Sequence, residues 1–335
     1  MFFILKKLFK IVLYLVIIVL IVAGYFYFQF KPSQNPGFGV TFSHIYAASL
    51  GFDARVMYMD MLTDLKPKKV RLVAYWDEIE AERGKFKYDD LDFMLTEAQK
   101  RGVEIMLVVG KKVPRWPECH QPGWYKDLPA DQQSTALLGM IKNTINHFKH
   151  YDNIKSWQVE NEPYFVFGID CPKQDPEMLL KEVKAVREID NRPIVLTASG
   201  EQGNWNQLAD SGADVVGVTM YRTVYNDTIG YYKYPVGPWF YRIKAGILKQ
   251  FKNKPVIGVE LQTEPWLLSG IFHTDIEQQK SLMNEKVFNE HVIYAKKVGF
   301  QDNYLWGVEW WYWMAKEKND WTMWATAKKI FADQK

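Results

Sequence analysis

Ile154-Lys155-Ser156-Trp157-Gln158-Val159-Glu160-Asn161-Glu162-Pro163 is a short β-prone run that ends on a cluster of carboxylate and amide side chains. It is the fourth of eight such runs. The predicted strands are Phe38–Ser43, Lys69–Ala74, Val103–Val109, Ile154–Glu160, Ile194–Ala198, Val215–Met220, Val256–Glu260 and Asn303–Trp310. Helical stretches separate them, at Asp89–Arg101, Asp131–His150, Pro176–Asp190, Pro238–Phe251 and Asp275–Val298, with a last one at Asp320–Ala332. Several strands are continuous apolar runs, as expected where both faces are buried. Gly102, Gly212 and Gly299 stand where helices should end. This alternation predicts an α/β fold, a single (β/α)8 TIM barrel over residues 37–335. A doubly wound open sheet would want a Gly-rich phosphate turn after the first strand, and Thr41-Phe42-Ser43-His44 is not one. Barrel enzymes place their chemistry at the C-terminal ends of strands, so the residues there decide the function.

Bulk properties narrow the class. The chain has 335 residues, 48% of them hydrophobic, enough for a large core. A formal charge of +3 is spread along it without a basic stripe, which argues against nucleic acid as a partner. The 13 Trp residues suit stacking on sugar faces but equally suit a barrel core. Residues 1–10 are basic, with Lys6, Lys7 and Lys10, and Ile11 to Phe30 is almost unbroken apolar sequence. About 20 such residues span a bilayer as a helix, and the preceding lysines keep the N-terminus cytoplasmic. The length favours an uncleaved transmembrane anchor over a cleavable signal peptide, for which no clean cleavage site follows Val22-Ala23-Gly24. Tyr25, Tyr27 and Phe28 read as an interfacial belt, and residues 31–36 as a short linker. The domain beyond is expected to face the cell exterior, where a secreted form after cleavage is the alternative.

Two carboxylates stand out. Glu162 lies in Asn161-Glu162-Pro163 at the end of the fourth strand, and Glu260 closes the apolar run Pro255-Val256-Ile257-Gly258-Val259 of the seventh. Cleaving a glycosidic bond needs a proton donor for the leaving oxygen and an anion across the anomeric carbon. The tripeptide resembles the Asn-Glu-Pro signature of clan A glycoside hydrolases, the cellulase, xylanase and β-galactosidase superfamily. The resemblance implies that Glu162 is the acid/base, that Asn161 binds the sugar 2-hydroxyl, and that a Glu ending strand seven is the nucleophile. Glu260 fits that place, and Glu264 in the following loop is its rival.

Other positions resemble the clan as well. Arg71 on strand two is followed by Trp76 and by Ile79-Glu80-Ala81-Glu82-Arg83-Gly84-Lys85-Phe86, with Leu91-Asp92 beyond and Ala81 where a Pro is usual. The resemblance implies that Arg71 keeps the nucleophile anionic and that Tyr221, ending strand six, hydrogen-bonds it. Many members also carry a His two residues before that Tyr, and Thr219 stands there instead. The stretch Gly110 to Glu118, with Lys111 and Trp116, is expected at the rim of the site. On strand eight Trp310, then Trp313, are expected to stack on sugar.

Cys119 follows strand three and Cys171 follows strand four. Adjacent strands bring these loops together, so in an exported domain a disulfide bracing the cleft is expected. No metal or other cofactor is called for. The expected function is a retaining glycosidase acting on β-linked polysaccharide or oligosaccharide, as a monomer whose other partner is the lipid bilayer. A carbohydrate-binding barrel without catalysis, or a transglycosylase using the same carboxylates, are the alternatives.

Overall fold

Runs of β-branched and aliphatic residues can hide both faces only if something covers each side of the sheet, and closure into a barrel does so. The computed structural model describes residues 2–334, so Met1 and Lys335, the ends of the outermost predicted segments, lie outside the described residues. Its strands are β1 Gly37–Thr41, β2 Lys69–Val73, β3 Glu104–Val109, β4 Ile154–Val159, β5 Ile194–Ala198, β6 Val215–Met220, β7 Thr223–Asn226, β8 Gly230–Lys233, β9 Val256–Gln262 and β10 Asp302–Trp306. Eight of them close a parallel barrel in the order β1-β2-β3-β4-β5-β6-β9-β10, with β10 pairing back to β1. β7 and β8 form an antiparallel hairpin inserted after β6.

The longer helices are α1 Phe2–Gln29, α2 Asp89–Lys100, α3 Ala130–Phe148, α4 Pro176–Arg187, α5 Pro238–Lys252, α6 Glu285–Val298, α7 Val308–Glu317 and α8 Thr322–Ala332. Leu72, Leu107, Leu196, Leu261 and Leu305 belong to the core cluster shared by strands and helices. Each such side chain contributes about 1.5–3 kcal/mol by leaving water. Met106, Val195, Val259 and Tyr304 form a separate cluster contributed by β3, β5, β9 and β10. α1 is long and apolar enough to cross a membrane, with a mean hydropathy of 2.7 in its best window, and its last turns pack on α5.

Two predicted elements differ from the structure. The eighth strand stops at Trp306, not Trp310, because Gly307 takes φ +134° and its carbonyl accepts the Trp311 amide, starting α7. Trp310 and Trp313 therefore lie on a helix, where the alternation of a strand no longer sets which way they point. The predicted helix Asp275–Val298 is broken after Leu282, where Met283 is extended and the Asn284 side chain caps α6 by accepting from the Val287 amide. The chain between β1 and β2, which the alternation left unassigned, forms helical turns at His44–Ser49 and Ala54–Leu65.

Gly307 is the tightest of these junctions, since an added Cβ would stand 2.6 Å from Glu264 Cβ. Gly307→Ala should destabilise the barrel by about 1–3 kcal/mol or more through strain alone. Urea unfolding of the variant measures this, and an unchanged midpoint would contradict it.

Candidate active site

A buried guanidinium organises the C-terminal mouth of the barrel. Arg71 on β2 is fully buried and donates through Nε to Gln158 Oε1 at 2.8 Å. Its Nη1 reaches Glu260 Oε1 at 2.9 Å and its Nη2 reaches Asn161 Oδ1 at 3.0 Å. The fork thus ties β2 to β4 and β9. The other Glu260 oxygen accepts from the Tyr221 hydroxyl at 2.9 Å. Both oxygens of Glu260 face donors, an environment suited to an anion. β9 continues past Glu260 to Gln262, and a register shift on β6 sets Thr219 opposite Glu260.

The turn after β4 holds non-glycine residues at positive φ, Glu160 at +57° and Glu162 at +44°. Such conformations cost about 1–3 kcal/mol each and persist only where surroundings fix them. Here the Glu160 carboxylate accepts from the Lys111 amide at 2.9 Å and the Lys112 amide at 2.7 Å. The Asn161 amide donates to Lys112 O at 2.6 Å, and the Glu162 amide donates to Thr197 Oγ1 at 2.8 Å. Burial and the neighbouring Glu160 push the Glu182 carboxyl well up.

Glu162 Oε1 accepts from Thr219 Oγ1 at 3.1 Å, so the residue standing in place of the usual His supplies the contact. Burial pushes the Glu162 carboxyl up to about 8, helped by the charges of Glu260 and Glu118 and opposed by Lys112. Glu118 is a third carboxyl in the same space. It accepts from Asn161 Nδ2 at 3.3 Å, and burial followed by the Glu260 charge raises it to about 7.

These groups line an open cleft of about 540 Å³. Glu118, Asn161, Glu162, Thr219, Tyr221 and Glu260 form its floor, while Phe165, Phe167 and Trp266 supply aromatic walls. Trp266 packs edge-on to Tyr221 with ring centroids 5.5 Å apart. Ser199, Glu201 and Gln202, which follow β5, line it from another side, together with Val224 of β7 and Tyr234 beyond the hairpin. Among the described residues no group of His, Cys, Asp and Glu could hold a metal ion.

The structure thus brings together Arg71, Asn161, Glu162, Tyr221 and Glu260. Glu264 does not line the cleft; it pairs with Arg115 at 2.5 Å. Arg115 also pairs with the fully buried Glu309 at 2.5 Å and lies 4.1 Å from the ring centroids of both Tyr46 and Trp306. Lys111 contributes its backbone amide to Glu160 and does not line the cleft. Trp116 is 60% exposed, and its ring meets that of Phe167 at 5.9 Å, which sets it at the rim. Trp310 and Trp313 stand apart from the cleft. Trp310 is buried and donates to Gln279 Oε1 at 2.8 Å, and Trp313 is buried beside Phe272. Helical geometry after Gly307 turns them into the core and away from the cleft.

Cys119 and Cys171 form a disulfide with Cα atoms 5.4 Å apart. The loops they join are also linked by the Ile169 amide donating to Pro117 O at 3.1 Å. Sequence reading passed over Thr197, Ser199 and Glu201, although alternate residues leaving β5 toward its C-terminal end were a usable signal. Nothing local in the sequence marks Phe165, Phe167 or Tyr234 as cleft residues.

Arg115→Met would strand Glu309 as an unpaired charge with no exposure to solvent. The expected loss is about 3–5 kcal/mol of stability above neutral pH, read by chemical denaturation. Equal stability of variant and wild type would show that the ion-pair cluster is dispensable.

No family model and no curated protein matches the chain. Solved structures do. Xylanase 10B from Thermotoga petrophila RKU-1, in complex with xylobiose, superposes with a TM-score of 0.59 at 15% identity, covering 90% of this chain and 95% of that one. A β-glucosidase from Exiguobacterium marinum gives 0.53 at 14%, covering 83% and 90%. An intracellular xylanase from Thermoanaerobacterium saccharolyticum gives 0.53 at 17%, covering 84% and 88%. Likeness at such identities concerns architecture, and the chain shares with these glycoside hydrolases the closed parallel eight-stranded barrel.

Proposed function

We propose that this protein is a retaining glycoside hydrolase of β-linked polysaccharide or oligosaccharide, held at the membrane with its barrel outside the cytoplasm. The observation that carries the reading is the pair of unlike carboxyls in one cleft. Glu162 is pushed up to about 8 by burial and by neighbouring carboxylates, while Glu260 is held between a guanidinium and a phenol. Such unlike environments support Glu162 as the acid and Glu260 as the nucleophile. The barrel neighbours include xylanases and a β-glucosidase, which supports the sugar substrate.

In the first step the Glu260 carboxylate attacks the anomeric carbon as the bond to the leaving oxygen breaks. Glu162 gives that oxygen its proton, leaving a glycosyl ester on Glu260. In the second step Glu162, now a carboxylate, takes a proton from water, and the water oxygen displaces Glu260 from the anomeric carbon. Arg71 and Tyr221 stabilise Glu260 as an anion before attack and after release. Asn161, oriented by Arg71 and Thr197, offers its amide to the sugar 2-hydroxyl. Trp266, Phe165 and Phe167 present faces and edges to the pyranose rings. Lys6, Lys7 and Lys10, in the first turns of α1, support a cytoplasmic N-terminus with the barrel on the other side.

Glu162→Gln should lower kcat on a natural glycan by about 10²–10⁴-fold, the usual worth of a positioned acid. Glu260→Ala should abolish turnover of an aryl glycoside and regain it with azide, giving a glycosyl azide. Wild-type rates in either variant would remove that residue from the mechanism, and a protein that binds glycans without turnover would be a carbohydrate-binding barrel. Products lengthened rather than shortened would mark a transglycosylase.

The pH profile gives a separate test. Activity should fall as pH rises through the Glu162 value near 8, because the acid form is lost. Glu118→Gln removes a negative charge that favours that form, so the falling limb of kcat/KM should move to lower pH. An unmoved or raised limb would refute the coupling.

A further inference from the structure

The N-terminal helix does more than tether the barrel. Ala23, Gly24, Phe26, Tyr27 and Phe30 are half-buried, a helical stripe along the last turns of the apolar segment, while Tyr25 and Phe28 remain exposed on other sides. The stripe packs on α5. At its centre the Phe26 carbonyl lies so close to Gly246 that an added Cβ would stand 1.7 Å from its oxygen. Arg242 donates to the Tyr27 hydroxyl at 2.6 Å, and the Phe26 ring meets Phe251 at 5.8 Å. Beyond α1, Phe30 meets Phe300 and the Ser33 amide donates to Gly299 O at 2.8 Å. A segment discarded as a signal peptide after Ala23-Gly24 would leave the docking partners joined to no membrane.

The position of the bilayer follows from length. A hydrocarbon core needs about 17–25 helical residues, and Leu8–Gly24 meets the lower bound, with Lys10 snorkelling back toward the inner headgroups. The docked turns therefore lie at the outer boundary of the membrane, and α5 lies there with them. Arg242 near the start of α5 donates to the Val298 carbonyl, beside Gly299 and Phe300 where the end of α1 lands, while Phe251 near the other end of α5 meets Phe26, so the two helices run antiparallel. The C-terminal end of α5 then points toward the lipid. It carries Phe251, 66% exposed, with Lys249 hydrogen-bonded to Asn253, Lys252 paired with Asp210, and Lys254 just beyond the helix. An exposed aromatic ring with lysines around it fits the headgroup zone of an anionic bilayer. This end of α5 leads into the N-terminal end of β9, whereas the cleft is at the C-terminal ends of the strands.

We infer that α1 is a retained, rigid stalk that seats the Phe251 end of α5 on the lipid surface, with the cleft turned away from the bilayer. The partner is the lipid surface itself, and α5 is its contact.

The test uses the full chain in phosphatidylcholine/phosphatidylglycerol nanodiscs, with a nitroxide on Phe251→Cys or, at the cleft rim, on Trp116→Cys. The native cysteines are joined in the disulfide and leave the label one site. Power saturation should show the label at 251 colliding several-fold more with oxygen than with an aqueous nickel complex, and the label at 116 the reverse. Equal water access at both sites, or a lipid-facing 116, would overturn the orientation. Gly246→Leu in the 251-labelled chain should move that label toward water while the barrel keeps a cooperative unfolding transition; an unmoved label would overturn the seating by α1. N-terminal sequencing of the protein from membranes should find residues preceding Gly24, and a mature chain beginning at or after it would overturn the stalk.

Discussion

Everything at the mouth of the barrel depends on the burial of one cation. A guanidinium with no exposure to solvent is tolerated only when its N–H groups are matched by acceptors. Arg71 finds them on Gln158, Asn161 and Glu260 and on the Val259 carbonyl, so side chains from β4 and β9 are fixed by a residue on β2. The dependence is mutual: Glu260, 4% exposed, needs the guanidinium as much as the guanidinium needs it. Lysine could supply the charge but not the planar fork that reaches all four acceptors.

The same constraint explains why the turn after β4 can hold its strained backbone. Asn161 can accept from Arg71 and Thr197 only if the chain bends sharply on either side of it. Positive φ at Glu160 and Glu162 makes that bend. The cost is offset by the hydrogen bonds that Glu160 takes from the Lys111 and Lys112 amides. A carboxylate outside the cleft thus anchors the neighbouring one that lines it.

These relations decide what could be read from the sequence. The strands were legible because their apolar runs are local, and Ile194–Ala198 and Val215–Met220 have the same bounds in sequence and structure. Arg71, Asn161, Glu162, Tyr221 and Glu260 were legible as candidates because each sits at or near a strand end, where barrel topology alone makes them converge. The aromatic run Trp310-Trp311-Tyr312-Trp313 misled because its composition suits a strand, and only the φ of Gly307 shows that the chain turns into a helix first. The hairpin β7–β8 and the walls formed by Phe165, Phe167 and Trp266 depend on loop packing, which has no sequence period. The role of Arg115 was hidden likewise, since Tyr46, Glu264, Trp306 and Glu309 meet it only in three dimensions.

The unlike surroundings of Glu162 and Glu260 come from where donors were placed, added to the burial that is the largest cause of the upward shift at Glu162. Both carboxyls line the same cleft. Glu260 meets a guanidinium and a phenol, whereas Glu162 meets one threonine hydroxyl. The nearest ammonium, on Lys112, is turned to the backbone carbonyls of Glu162 and Phe165. Burial, with the negative charges of Glu260 and Glu118 added to it, raises the Glu162 carboxyl. In the proposed mechanism the proton donor thus stands in the same small space as the nucleophile, whose charge favours the protonated form of the donor.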